Sequence, residues 1–137
     1  MLEGRLLRPG LILLAIGAAV IGFWALFAPQ SFYDDFPGGD RGWVSALPPY
    51  NEHLVRDVGA LNLAVACMVG AAAYYMDRRL IFVALVAYLV YSVPHFFFHM
   101  FHLEDLSDSD KVLQTISLAF TVALPVYLLA LNRGRGR

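Results

Sequence analysis

Four runs of hydrocarbon side chains dominate this chain: residues 9–28, 54–76, 80–101 and 112–131. Each has about the 20 residues that a helix needs to cross a hydrocarbon core ~30 Å thick. Lipid offers no partner for a backbone N–H or C=O, so a spanning segment must bond to itself, as a helix does. Composition agrees, with 59% of residues hydrophobic and 15% charged, where a soluble domain carries about 25% charged residues. The reading is all-α: a bundle of four transmembrane helices, one integral membrane domain over residues 1–137. The first run outlasts the apolar core of a signal peptide, about 7–15 residues, and "ALFAPQ" is a poor cleavage sequence, so it reads as a retained helix.

Charge then orients the bundle. Arg5 and Arg8 precede the first run, Asp77, Arg78 and Arg79 join the second to the third, and Arg133, Arg135 and Arg137 close the chain. With an even number of spans these seven arginines fall on one side, which the positive-inside rule makes the cytoplasm. Asp34, Asp35, Asp40, Glu52, Glu104, Asp105, Asp108 and Asp110 fall on the other. Both termini are therefore expected inside. The connection 29–53 is a long outer loop, carrying the turn-forming "FPGGDRGW" and "LPPY". Trp24, Phe32, Tyr33, Trp43 and Tyr50 read as an aromatic belt at the outer boundary.

Several function classes drop out. A net charge of −1 gives no footprint for nucleic acid, and no phosphate-binding glycine loop is present. Cys67 is the single cysteine, which excludes an intrachain disulfide and any cysteine-built metal cage.

The third run ends in "VPHFFFHMFHLED", where histidines alternate with phenylalanines. At about 100° per residue, Tyr88, Ser92, His95, His99 and His102 fall on a stripe roughly 80° wide. Tyr91 lies beside it, while Phe97, Met100 and Phe101 lie opposite. One face suits lipid and the other the bundle interior, with Pro94 a candidate kink. In the second run, His53, Asp57, Ala60, Ala64, Cys67 and Ala71 share a face whose small residues admit a close neighbour. Counting depth along the two antiparallel helices puts Asp57 near His95, and His53 near His99 or His102. In the fourth run, Gln114, Ser117, Thr121 and Pro125 form a stripe that can also face inward.

The expected site is thus a polar pocket opening outward. His53, His95, His99 and His102 are its candidate metal ligands; Arg56, Asp57, Tyr88, Ser92 and Gln114 are its candidate ligand-binding residues. Imidazoles one and two turns apart suit zinc or copper, with a carboxylate to orient them. A haem between His53 and His95 or His99 is the less favoured variant. A metal-free pocket for a lipid headgroup or quinone is a third occupancy. The inner half of the bundle is almost wholly apolar, which disfavours a conducting pore. Plain structural readings stand beside these: Arg56 and Asp57 as a buried pair, His102 solvated at the interface, Cys67 as a small packing residue, and "RGRGR" as a topology determinant.

"RPGLILLAIGAAVIGFWALFAP" and "RDVGALNLAVACMVGAA", the latter with an arginine opening a glycine-containing apolar run, resemble the small four-helix DoxX-like membrane proteins of bacteria. The resemblance covers roughly half the chain. It implies a multi-pass protein of the bacterial inner membrane and a link to quinone-associated redox chemistry. Three readings follow: a membrane binding protein with a His/Asp/Arg pocket for a metal ion or small polar ligand, a redox or haem-associated enzyme subunit, and an accessory subunit. Membrane lipid, a homo-oligomer and a larger membrane complex are the partners these readings imply.

Overall fold

The computed structural model describes residues 2–39 and 41–134. Asp40, Arg135 and Arg137, three of the charges used for topology, lie outside the described residues. The described chain is helical: α1 (Leu2–Phe27), α2 (Pro29–Asp35), α3 (Glu52–Tyr75), α4 (Arg78–Met100) and α5 (Asp108–Gly134). Four of these, all but the short α2, are long and apolar enough to cross a membrane. Their outer surfaces are hydrocarbon: Val90 is 72% exposed, Phe101 76% and Tyr75 70%. Water would penalise such a surface; acyl chains do not. The chain is a multi-pass membrane protein.

Local chemistry sets the helix ends. Asn51 caps α3, its side chain accepting from the Leu54 N–H at 3.2 Å. Between α3 and α4, Met76 takes a left-handed conformation (φ 53°), and Asp77 then accepts from the Arg79 and Leu80 N–H groups at 3.0 and 2.8 Å. That two-residue turn forces α4 back antiparallel to α3. α4 runs unbroken through Pro94.

The spanning helices form a square ring. α1 packs on α3 and α5, and α4 packs on α3 and α5, while the diagonal pairs α1/α4 and α3/α5 do not meet among the described residues. The middle of such a ring must be filled by side chains. At one end it is: Leu7, Leu11, Val69, Ile81, Leu85 and Leu128 are each 0–1% exposed. Asn132 Nδ2 donates to the Arg78 carbonyl at 2.9 Å, and the Arg78 guanidinium donates to the Arg133 carbonyl at 3.3 Å, tying the end of α5 to the start of α4. Arg8, Arg78, Arg79 and Arg133 therefore share this end of the bundle with the described ends of α1 and α5.

At the opposite end α1 and α3 approach backbone to backbone. A Cβ on Gly59 would lie 2.5 Å from the Leu26 nitrogen, and one on Gly22 would lie 2.9 Å from the Gly59 carbonyl oxygen. Arg56 secures the approach by donating to the Leu26 carbonyl and, at 2.8 Å, to Glu52. The buried face of α3 is accordingly Gly59, Asn62, Val69, Ala72 and Ala73. It lies two positions, about 200°, from the His53–Asp57–Ala60–Ala64–Cys67 face expected to point inward. His53, Asp57, Ala60, Ala64 and Cys67 are exposed.

The connection between α1 and α3 is partly helical. It opens with α2, whose Pro29 occupies the first turn, where a missing N–H costs nothing.

Candidate functional site

Three helix faces change character halfway along the ring. On α4 one stripe reads Ile81, Leu85, Tyr88, Ser92, His95, His99: hydrocarbon at the arginine end, hydrogen-bonding beyond it. On α5 the stripe reads Leu128, Pro125, Thr121, Ser117, Gln114 in the same direction, and on α3 Asn62 takes the corresponding place. Polar side chains here are shorter or bulkier in the wrong places to fill the ring as leucine does. The result is a cavity of about 360 Å³ between the four spans, lined by all of these polar groups from Tyr88 and Thr121 outward.

Most of its wall is nonetheless apolar, from Ala18 and Ile21 of α1 and Leu54, Val55 and Val58 of α3. The outer connection closes the top with Phe32, Phe36, Trp43, Val44 and Leu47. Trp24, Phe32, Phe36 and Trp43 pack in a chain, with centroids 5.8, 4.8 and 6.3 Å apart; the first and last pairs meet edge to face and the middle pair is tilted by 42°. Of the five aromatic residues read as a membrane belt, Phe32 and Trp43 are buried over the cavity as its lid, while Trp24 packs behind Phe32 and Tyr33 meets Tyr50 away from it. Asp110, at the start of α5, holds the lid. One of its oxygens accepts from Trp43 Nε1 at 2.9 Å and from Arg41 at 2.5 Å; the other accepts from Ser107 at 2.6 Å.

Hydrogen bonding within the lining is uneven. Asn62 donates back to the Val58 carbonyl at 2.9 Å, Ser117 to Leu113 at 2.8 Å and Thr121 to Leu118 at 2.7 Å, so the two hydroxyls spend their donors, and Asn62 one of its two N–H groups, on their own helices. Ser92 Oγ and Gln114 Oε1 have no partner within the protein, although both residues are 2% exposed. A buried polar atom left unpaired costs about 1–3 kcal/mol. Both residues belong to the wall of one largely apolar cavity, the place where a bound molecule is expected to draw out these atoms and supply their partners.

The histidines divide. His95 stacks on Tyr91 (centroids 5.2 Å, planes 19° apart) and meets His99 edge to face at 4.6 Å. Both line the cavity, as do Tyr88, Tyr91, Ser92 and Gln114. His102 does not: its Nδ1 lies 2.7 Å from the Phe98 carbonyl, which can only accept, so that nitrogen carries the proton, and its ring stacks on Phe98 at 4.2 Å. His53 and Asp57 pair with each other at 3.2 Å on the outer face of α3, their side chains 82% and 54% exposed. Arg56 is committed to Leu26 and Glu52. His53, Arg56, Asp57 and His102 are therefore outside the lining, because α3 is turned by two positions and α4 ends one turn too soon. Among the described residues no three His, Cys, Asp or Glu side chains gather closely enough to hold one ion, and His53, the haem partner expected for His95 or His99, lies outside the cavity that those two line.

Asn62 escaped the sequence reading. Its signal is a carboxamide in the middle of an apolar span, which lipid drives inward. The lid had no such signal, since aromatic residues near a boundary serve a belt equally well. Comparison with protein-family models, curated proteins and solved structures finds no match to this chain.

Proposed function

We propose that this membrane protein is a binding protein whose lidded cavity takes a small, uncharged, largely apolar molecule bearing a hydroxyl group. The observation that carries this is the pair of buried, unpartnered atoms, Ser92 Oγ and Gln114 Oε1, on two residues of one cavity wall. A ligand hydroxyl supplies a donor to Gln114 Oε1 and an acceptor for Ser92 Oγ–H. No Arg, Lys, Asp or Glu lines the cavity among the described residues, so nothing there balances a ligand charge. Tyr91, His95 and His99 offer flat faces that favour a ring. With the arginine end in the cytoplasm, the lid faces the outer side of a bacterial inner membrane, and the ligand arrives from there.

The redox reading is supported by the same walls: a quinol donates to Gln114 Oε1, whereas a quinone, with carbonyls alone, leaves that atom unpaired. The metal reading rests on His95 and His99 alone, whose rings are 4.6 Å apart.

The test is to purify the protein in mild detergent, extract it with organic solvent and identify what co-purifies by mass spectrometry, with metal analysis and an absorption spectrum on the same sample. A stoichiometric hydroxylated small molecule, lost in a folded Gln114→Leu variant, is expected. Identical extracts from wild type and variant would overturn the proposal. Stoichiometric zinc or copper lost in His95→Ala would replace it with the metal reading, and a Soret band with haem. A protein without ligand that co-purifies with larger membrane subunits would make it an accessory subunit.

A further inference from the structure

Outside the ring, on the lipid-facing side of α1 and α3, lies a second and larger hollow of about 820 Å³. The two helices touch at the Gly22–Gly59 approach, where any Cβ would collide. Toward the arginine end they part: a Cβ on Gly70 would meet nothing within 4 Å. The groove so formed is walled by Ile12, Ala15, Ile16 and Ala19 of α1 and by Leu63, Ala66 and Gly70 of α3. Phe23 closes its outer end; Arg8 and Tyr74 stand at its inner end.

Bilayer lipid covers every outer face of this protein, and most of that cover is interchangeable. This groove differs because its chemistry is polarised. Its wall holds one guanidinium and, among the described residues, no carboxylate; outward of Arg8 and Tyr74 it is hydrocarbon apart from the Cys67 thiol. Arg8 has no ion pair among the described residues, and the Tyr74 side chain is 78% exposed. From Arg8 to Phe23 the helix rises about 22 Å, more than one leaflet's share, about 15 Å, of the hydrocarbon core. A molecule that fits must have an acidic head at Arg8 and one extended hydrocarbon chain between the helices.

We infer that the α1/α3 groove is a binding site for an anionic phospholipid, with its phosphate on the Arg8 guanidinium and an acyl chain lying between Ala15 and Gly70. A guanidinium pairs with phosphate through parallel hydrogen bonds. With no carboxylate in the wall to receive a choline or ethanolamine cation, the head of net negative charge is preferred. The occupant is a lipid and not a second copy of the chain: an apolar helix from another copy would leave Arg8 facing hydrocarbon without an anion.

The test uses the whole protein in nanodiscs of equimolar phosphatidylcholine and phosphatidylglycerol, released into native mass spectrometry. Wild type is expected to retain one phosphatidylglycerol, enriched about fivefold over phosphatidylcholine, the scale of one arginine near a membrane surface. Arg8→Gln is expected to lose the preference, and Arg79→Gln, at the same end but outside the groove, to keep it. Gly70→Leu, built into open space, is expected to fold and to release the bound lipid. Equal retention of the two lipids by wild type, or an undiminished preference in Arg8→Gln, would overturn the inference. So would a dimer whose dissociation on Gly70→Leu shows that a second copy fills the groove.

Discussion

Replacing Gly59 by alanine probes the contact that sets the distance between α1 and α3. A methyl group there would lie 2.5 Å from the Leu26 nitrogen and 2.9 Å from both the Gly22 oxygen and the Leu26 Cα. All three are main-chain atoms, so no change of rotamer relieves the clash. Comfortable contact is about 3.5–4.0 Å, so α1 must retreat by roughly 1 Å, which also stretches the Arg56 bond to the Leu26 carbonyl. Overpacking of this kind costs about 1–3 kcal/mol, and alanine's better helix propensity returns at most ~1 kcal/mol. A net loss of about 1–2 kcal/mol is expected, a factor of about 5–30 in the folded-to-unfolded ratio. Reversible unfolding by sodium dodecyl sulfate in mixed micelles, followed by the fluorescence of Trp24 and Trp43, reads this directly. Gly17→Ala is the control, since its methyl meets nothing within 4 Å; it should match wild type or slightly exceed it. Equal midpoints for Gly59→Ala and Gly17→Ala would show that the helices are not in backbone contact.

Three further outcomes follow from the same geometry. Ser92→Ala removes an unpaired buried hydroxyl, so ligand-stripped protein should gain about 1 kcal/mol in the same unfolding assay; a loss would mean the hydroxyl is paired within the protein. Asp110→Asn weakens the hold on Arg41 and Trp43, and iodide should then quench Trp43 more strongly, measured in a Trp24→Phe background; unchanged quenching would remove Asp110 as the anchor of the lid. Asn132→Leu deletes the bond to the Arg78 carbonyl at the arginine end but also removes an unpartnered buried Oδ1; the two effects, about 1 kcal/mol each, should nearly cancel in the denaturation midpoint, and a loss of more than about 2 kcal/mol would show that Oδ1 is paired.

The α4 stripe was legible in the sequence because its two faces differ in kind: phenylalanine belongs in lipid, whereas Tyr88, Ser92, His95 and His99 do not. Gln114 was legible for the same reason. α3 was not, since alanines occur on every side of it and small size gives no direction. What turns it is the collision surface of Gly59 and the carboxamide of Asn62, and the first of these depends on where Leu26 lies, thirty-three residues earlier in the chain. His53 and Asp57 misled in a specific way. Ionisable groups in a span are expected inward, but these sit within the first two turns of α3, close enough to the boundary to reach headgroups. The lid lay beyond sequence reasoning because Trp43 and Asp110 meet across sixty-seven residues of chain.

That separation orders the life of the molecule during synthesis. Arg41 and Trp43 emerge early; Asp110 emerges only as the fourth span begins, so until that span is threaded nothing anchors the flap above the hollow. Chains grow from the N-terminus at about 5–20 residues per second, so the nascent protein spends several seconds with its mouth unfastened. Gln114, Ser117 and Thr121 of the wall follow Asp110 in the chain, so the fourth span completes the hollow and fastens its cover in one step.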